Sequence, residues 1–142
     1  MKTRAQQDME LALKLVQQVA EKYPNQDDKP RKIYGGLCHS FPVLVRTCGL
    51  CQALAFLEDK ATTEKSEDER ADAHRLLLDH IAKIMSKEDR GSLMATVRGG
   101  SALDYLHYTR RILSVWIYFK RFAVSILKVK NAQEAQSDAG ET

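Results

Sequence analysis

Cys48-Gly-Leu-Cys51, with Cys38 and His39 upstream, supplies four side chains of the kind that hold a tetrahedral metal. Structural zinc sites place such pairs on turns at opposite ends of a spacer. Here Cys48 and Cys51 fall inside an apolar helical pattern and His39 adjoins Cys38, so the spacing predicts reduced, packed thiols and no metal or cofactor. A redox pair of the thioredoxin kind is argued against because no strand precedes the motif. Arg75 and His80 share a charged helical stretch, where such a pair can activate a ribose hydroxyl and stabilise a phosphorane. Leu76 follows the arginine where a small polar residue is wanted, and pairs at this spacing are common on charged helices. His74 and His107 have no neighbouring carboxylate or serine to form a triad, and Gly99-Gly100 lacks the further glycines and lysine of a phosphate loop. No catalytic residue is assigned.

A different constellation occupies the C-terminal third. At 100° per residue, His107, Arg110, Ser114, Tyr118, Arg121, Ser125 and Lys128 form a polar stripe, with Arg111 at its edge. Cations with hydrogen-bonding neighbours along ~30 Å of helix can follow a phosphate backbone without reading sequence. The competing account is a solvated helix face. Apolar residues cover about 220° of the same wheel, more than a surface helix shows, which suits a central helix or one that meets another subunit. Lys120 falls within that apolar arc, where an ammonium must reach out to water, a carboxylate or a ligand.

The elements that must position these residues are helical. Ala5, Met9, Ala12, Val16 and Val19 predict an amphipathic helix over 3–22. From Arg31 the pattern resumes, but Gly35-Gly36 and Pro42 interrupt it; a short helix to about His39 and a new one from about Phe41 to Lys60 are expected. On that second helix Arg46, Gly49, Ala53 and Lys60 align. Ser66-Glu67-Asp68-Glu69 is a capping box opening a helix to about Lys87, with Leu77, Ile81, Ile84 and Met85 inward. A short helix over Ser92–Arg98 stops at Gly99-Gly100. Ser101-Ala-Leu-Asp104 then caps a helix running to about Lys130, roughly 44 Å long. The expected fold is all-α, a bundle of about five or six helices in one domain over 1–130 with a long C-terminal helix, followed by a disordered acidic tail over 131–142.

Composition agrees with that class. The 142 residues are 44% hydrophobic and 29% charged, with only three prolines, enough for a single core. No apolar run nears the ~20 residues a membrane span needs, and MKTRAQQDMELAL lacks the features of a signal peptide, so a cytoplasmic protein is expected. The net charge of +3 is small, but its distribution is uneven. Residues 29–57 carry four bases and no acid, and residues 91–130 carry seven bases against Asp104 alone. Between them, residues 58–90 hold ten acids and seven bases.

The two basic regions also carry a family resemblance. Tyr34, Leu37, Pro42, Gly49-Leu50, Gln52, Leu54-Ala55-Phe56-Leu57 and Lys60, then Tyr105, Thr109, Leu113, Trp116 and Lys120-Arg121-Phe122-Ala123, are similar to the small helical subunit of the type III-B CRISPR effector, the Cmr complex. Cys48 stands where that family often has asparagine. The resemblance implies a non-catalytic subunit that repeats along the guide-bearing backbone of the particle. Its partners would be other Cmr subunits, copies of itself, guide RNA and target RNA, with no membrane or small-molecule substrate; cleavage belongs to other subunits. Charge segregation then assigns Arg31, Lys32, Arg46, Arg110, Arg111, Lys120, Arg121 and Lys128 to phosphate contacts, with Lys60 as an addition. Two alternatives are a protein-interaction module without RNA contact, and a helical ribonuclease using Arg75 and His80.

Overall fold

Thr3 opens the first helix with a reciprocal cap: its hydroxyl accepts the Gln6 amide at 3.1 Å and the Gln6 side chain accepts the Thr3 amide at 2.8 Å. Five further helices succeed it in the computed structural model, which describes residues 1–62 and 69–132. The six are α1 (Arg4–Lys22), α2 (Lys29–Cys48), α3 (Leu50–Ala61), α4 (Glu69–Ile84), α5 (Arg90–Gly99) and α6 (Ala102–Ser125), with no strand among the described residues. The all-α class and the long C-terminal helix are as expected. The capping box begun by Ser66, and the tail from residue 133 onward, lie outside the described residues. The described residues of Met1–Ser40 and Val115–Thr142 form one compact unit, and those of Phe41–Ser114 a second.

In the first unit, α1 buries Asp8, Ala12, Leu15, Val16 and Val19. Met9, expected inward, is 47% exposed. Ala5, in the first turn, is exposed as well. Gly35 and Gly36 do not break α2. A Cβ on Gly35 would lie 2.5 Å from the Val129 side chain, so the glycine admits the segment beyond α6. Pro42 does not break the helix either. Its missing amide would leave the Cys38 carbonyl, four residues back, without a helical donor. The Trp116 indole donates to that carbonyl at 2.8 Å and replaces the lost bond. Trp116 also stacks on Phe119, with centroids 4.6 Å apart, and Tyr34, Cys38, Val115 and Ala123 of the same unit are buried as well. Burial pushes the Tyr34 hydroxyl and the Cys38 thiol well up, so both stay protonated.

Helix α6 ends at Ser125 rather than near Lys130, giving 24 residues or about 36 Å. The amide of Leu127 bonds the Phe122 carbonyl and that of Val129 the Ala123 carbonyl at 3.0 Å, while Lys128 takes φ +64° and reverses the chain. Arg31, expected at the surface, is 5% exposed. Its guanidinium donates to the carbonyls of Tyr23, Pro24, Ile126 and Leu127. His39 Nε2 meets the Val129 carbonyl at 2.7 Å. Residues 126–130 thus form a strap tied to α2.

In the second unit, α3 packs on α4, and both meet α5. Leu54, Leu57, Leu77, Leu78, Ile81 and Leu93 form its core. The break sequence reasoning placed before Pro42 occurs at Gly49, whose φ of +87° suits glycine. The Tyr105 hydroxyl fills the space a side chain would take, 3.1 Å from a Cβ there, and accepts the Cys51 amide at 3.0 Å. It caps α3, which lacks a side-chain cap from Gly49. Ser86, at φ +57°, stops α4 early through the paired bonds Ser86 to Lys83 and Lys87 to Ala82, a Schellman ending on a serine. Asp89 caps α5 by accepting the Ser92 amide at 2.8 Å, which holds its carboxyl below the usual range. Ser101 and Asp104 cap α6 reciprocally, as expected.

Candidate nucleic-acid interface

Positive charge that can meet a ligand must be exposed and not already committed to the fold, and this condition divides the basic residues. Arg31 fails it: the carbonyls it serves belong to the helix ends it joins, so it is corrected from a phosphate contact to a structural cation. Lys32 is half-buried and pairs with Asp27 at 3.6 Å. Arg111 is half-buried and engaged within the chain. Arg46, Arg110, Lys120, Arg121 and Lys128 are exposed. Among these, Arg46 and Arg110 belong to the second unit, and Lys120, Arg121 and Lys128 to the first.

Helix α6 shows how the fold turns these residues outward. Its buried positions are Ile112, Val115, Trp116, Phe119 and Ala123, at helical spacing. His107, Arg110, Ser114, Arg121 and Ser125 are exposed, while Tyr118 is half-buried. Because the helix ends at Ser125, Lys128 does not continue the stripe; the reversed strap displays it instead. The broad apolar arc resolves into a buried sector and an exposed one, with Leu103 at 63%, Leu106 at 42%, Ile117 at 66% and Val124 at 39%. Lys120 lies on the exposed side and needs no burial of its charge. Asp104 is the single acid of α6 and is used in its cap.

The remaining candidates do not assemble. Cys38 alone is buried; Cys48 and Cys51, expected to be packed, are exposed. The helix breaks between them at Gly49, so they share no inward face. Arg46 and Lys60 fall on different helices for the same reason. No group of three or more metal-ligating side chains occurs among the described residues. Arg75 donates to the Ala61 carbonyl at 2.9 Å and pairs with Asp72. His80 is 1% exposed, and burial next to Lys83 pushes it down to about 3, so the imidazole is neutral and shielded from substrate. Lys60 lies 5.7 Å from the exposed Phe56 ring. No described helix is long and apolar enough to cross a membrane.

Sequence reasoning missed the roles of Arg31, Trp116 and Tyr105 in holding these elements. The available signal was Pro42 itself, since a proline retained inside a helix requires a substitute donor for the carbonyl four residues back.

Comparison with known proteins agrees with this architecture. A protein from Thermus thermophilus, the CRISPR system Cmr subunit Cmr5, is 30% identical over 128 residues, covering 90% of this chain and 99% of that protein. The crystal structure of a CRISPR-associated Cmr5 family protein from Thermus thermophilus superimposes with a TM-score of 0.70 at 30% identity, covering 88% of this chain and 98% of the other. The model of the CRISPR-associated protein family Cas_Cmr5 matches residues 4–126, and the chain belongs to that family.

Proposed function

We propose that this protein is a non-catalytic subunit of a CRISPR Cmr effector that holds RNA through its exposed bases while other subunits carry the chemistry. The relative's name supports membership of such a complex. The observation that carries RNA contact is the outward side of α6, where Arg110, Lys120 and Arg121 are exposed and no acid follows the cap. Arg46 and Lys128 add exposed charge. Lys32 and Arg111 are secondary, being partly engaged. Guide RNA, target RNA, other Cmr subunits and further copies of this chain are the partners of this reading, in one helical domain and in the cytoplasm.

If about four bases meet single-stranded RNA, affinity falls some 50-fold between 50 and 200 mM salt. The test is R110E/R121E, measured as RNA retention by the assembled particle and as thermal stability of the subunit. Loss of RNA with unchanged melting and unchanged assembly supports the reading; RNA binding indifferent to both salt and charge reversal rejects it. A second reading draws on the exposed Leu103, Leu106, Ile117 and Val124, which suit contact with another subunit. In that case the double reversal abolishes assembly itself. The ribonuclease alternative is disfavoured by the burial of His80 and the internal bonds of Arg75. Metal-independent cleavage lost in His80→Ala would reinstate it.

A further inference from the structure

Lys128 occupies a backbone conformation that lysine rarely adopts. Its φ is +64°, the left-handed region favoured by glycine and asparagine, and it is one of two non-glycine residues there among the described residues. Its neighbours are fixed on both sides. Leu127 is 1% exposed and Val129 2%, so the chain goes in, out and in again, with the lysine outward. Arg31 Nε donates to the Leu127 carbonyl, His39 Nε2 meets the Val129 carbonyl, and the Val129 side chain fills the niche opened by Gly35. The backbone carrying this ammonium is therefore held at three points by α2.

The electrostatics of the position are also unusual. A helix C-terminus repels anions because its last carbonyls are unpaired. At this end the Phe122 and Ala123 carbonyls accept amides of the strap, and the buried Arg31 cation bonds those of Ile126 and Leu127. The repulsion of this end is thereby reduced where the lysine projects. Lysine at a helix end also complements the dipole, which is the structural reason for a cation here. That reason does not call for the left-handed backbone, which glycine or asparagine would adopt with less strain.

We propose that the strap over residues 126–130 is a preorganised phosphate-binding knuckle. Lys128 is its contact for an RNA phosphodiester, and Arg31, His39 and Gly35 are its positioning residues. The proposal rests on the RNA-contact reading above and adds to it a fixed point of contact. A tethered backbone leaves less chain entropy to lose on binding, so this cation contributes more than a freely moving surface lysine.

The two accounts of Lys128 diverge in a paired measurement on the full chain, alone and in the assembled particle, with a labelled single-stranded RNA. Lys128→Asn is expected to melt at the same temperature or a few degrees higher, because asparagine accepts the left-handed backbone. It should also bind roughly fivefold more weakly, with a salt slope flatter by about 0.7. Lys128→Arg should keep both affinity and slope. Wild-type affinity and slope in Lys128→Asn overturn the knuckle, as does a lowered melting temperature without loss of RNA. If R110E/R121E still loses RNA in that case, the broader reading survives. If the wild-type protein and particle bind RNA without salt dependence, both fall.

Discussion

Within Tyr34–Lys60, the residues that carry the family resemblance divide: Tyr34, Pro42, Leu50, Leu54 and Leu57 are buried, while Gln52, Ala55, Phe56 and Lys60 are exposed. Within Tyr105–Ala123, Trp116 and Ala123 are buried, but Lys120 and Arg121 between them face outward. The basic regions around these segments, residues 29–57 and 91–130, use their charge differently. Arg31 of the first region closes helix ends from within, whereas Arg110, Lys120 and Arg121 of the second lie on the outer side of α6. Net charge along a chain records where cations occur, and the fold decides which of them meet solvent.

Removing the two arginines in turn gives the strongest test of that contrast. Arg31→Met should cost about 3 kcal/mol or more, because buried carbonyls at two helix ends lose their donors. Arg121→Met should stay within about 0.5 kcal/mol, read by urea unfolding. Equal losses would erase the distinction between the two cations. Next in size is a pH effect in the second unit. His80 is neutral when folded, its value of about 3 lying below the ~6.5 of an unfolded histidine. Its contribution is therefore fully present above about pH 6.5 and declines as pH falls toward 3, at up to about 1.4 kcal/mol per pH unit. Unfolding between pH 7 and 5 should show that slope, and His80→Gln should flatten it; an unchanged slope would place the effect elsewhere.

The smallest effect concerns the donor that lets α2 pass through Pro42. Trp116→Phe should cost about 1–3 kcal/mol in excess of any packing change, since the Cys38 carbonyl then has no donor. In a Pro42→Ala background a helical amide is restored, so the same substitution should cost about 1 kcal/mol less. A double-mutant cycle with no coupling would disprove the replacement.

The helices were legible because their periodicity and the Ser101–Asp104 cap are local signals. The ends were not. Pro42 reads as a break when its neighbours alone are considered, but the compensating indole lies 78 residues along the chain from the carbonyl it serves. Gly49 reads as one position in the row Arg46, Gly49, Ala53 and Lys60 of a single long helix, because nothing nearby announces that Tyr105 will cap α3. Ser86 and Lys128 end α4 and α6 in left-handed backbone without the glycine or asparagine that would mark it. Among the site residues, exposure of Arg110 and Arg121 follows from the wheel of α6, and burial of Arg31 follows only from long-range hydrogen bonds. Cys48 and Cys51 were misplaced by the same unread break.

Trp116 is the chain's one tryptophan. Its 1% exposure and its bond to Cys38 put the protein's whole indole emission at a single dry site, on the helix that leads into the strap. The molecule thus carries an intrinsic optical label for its first unit. A ligand that engages only the outer cations leaves that label's surroundings intact, whereas loosening the contact between α6 and α2 exposes the indole and shifts its emission to the red.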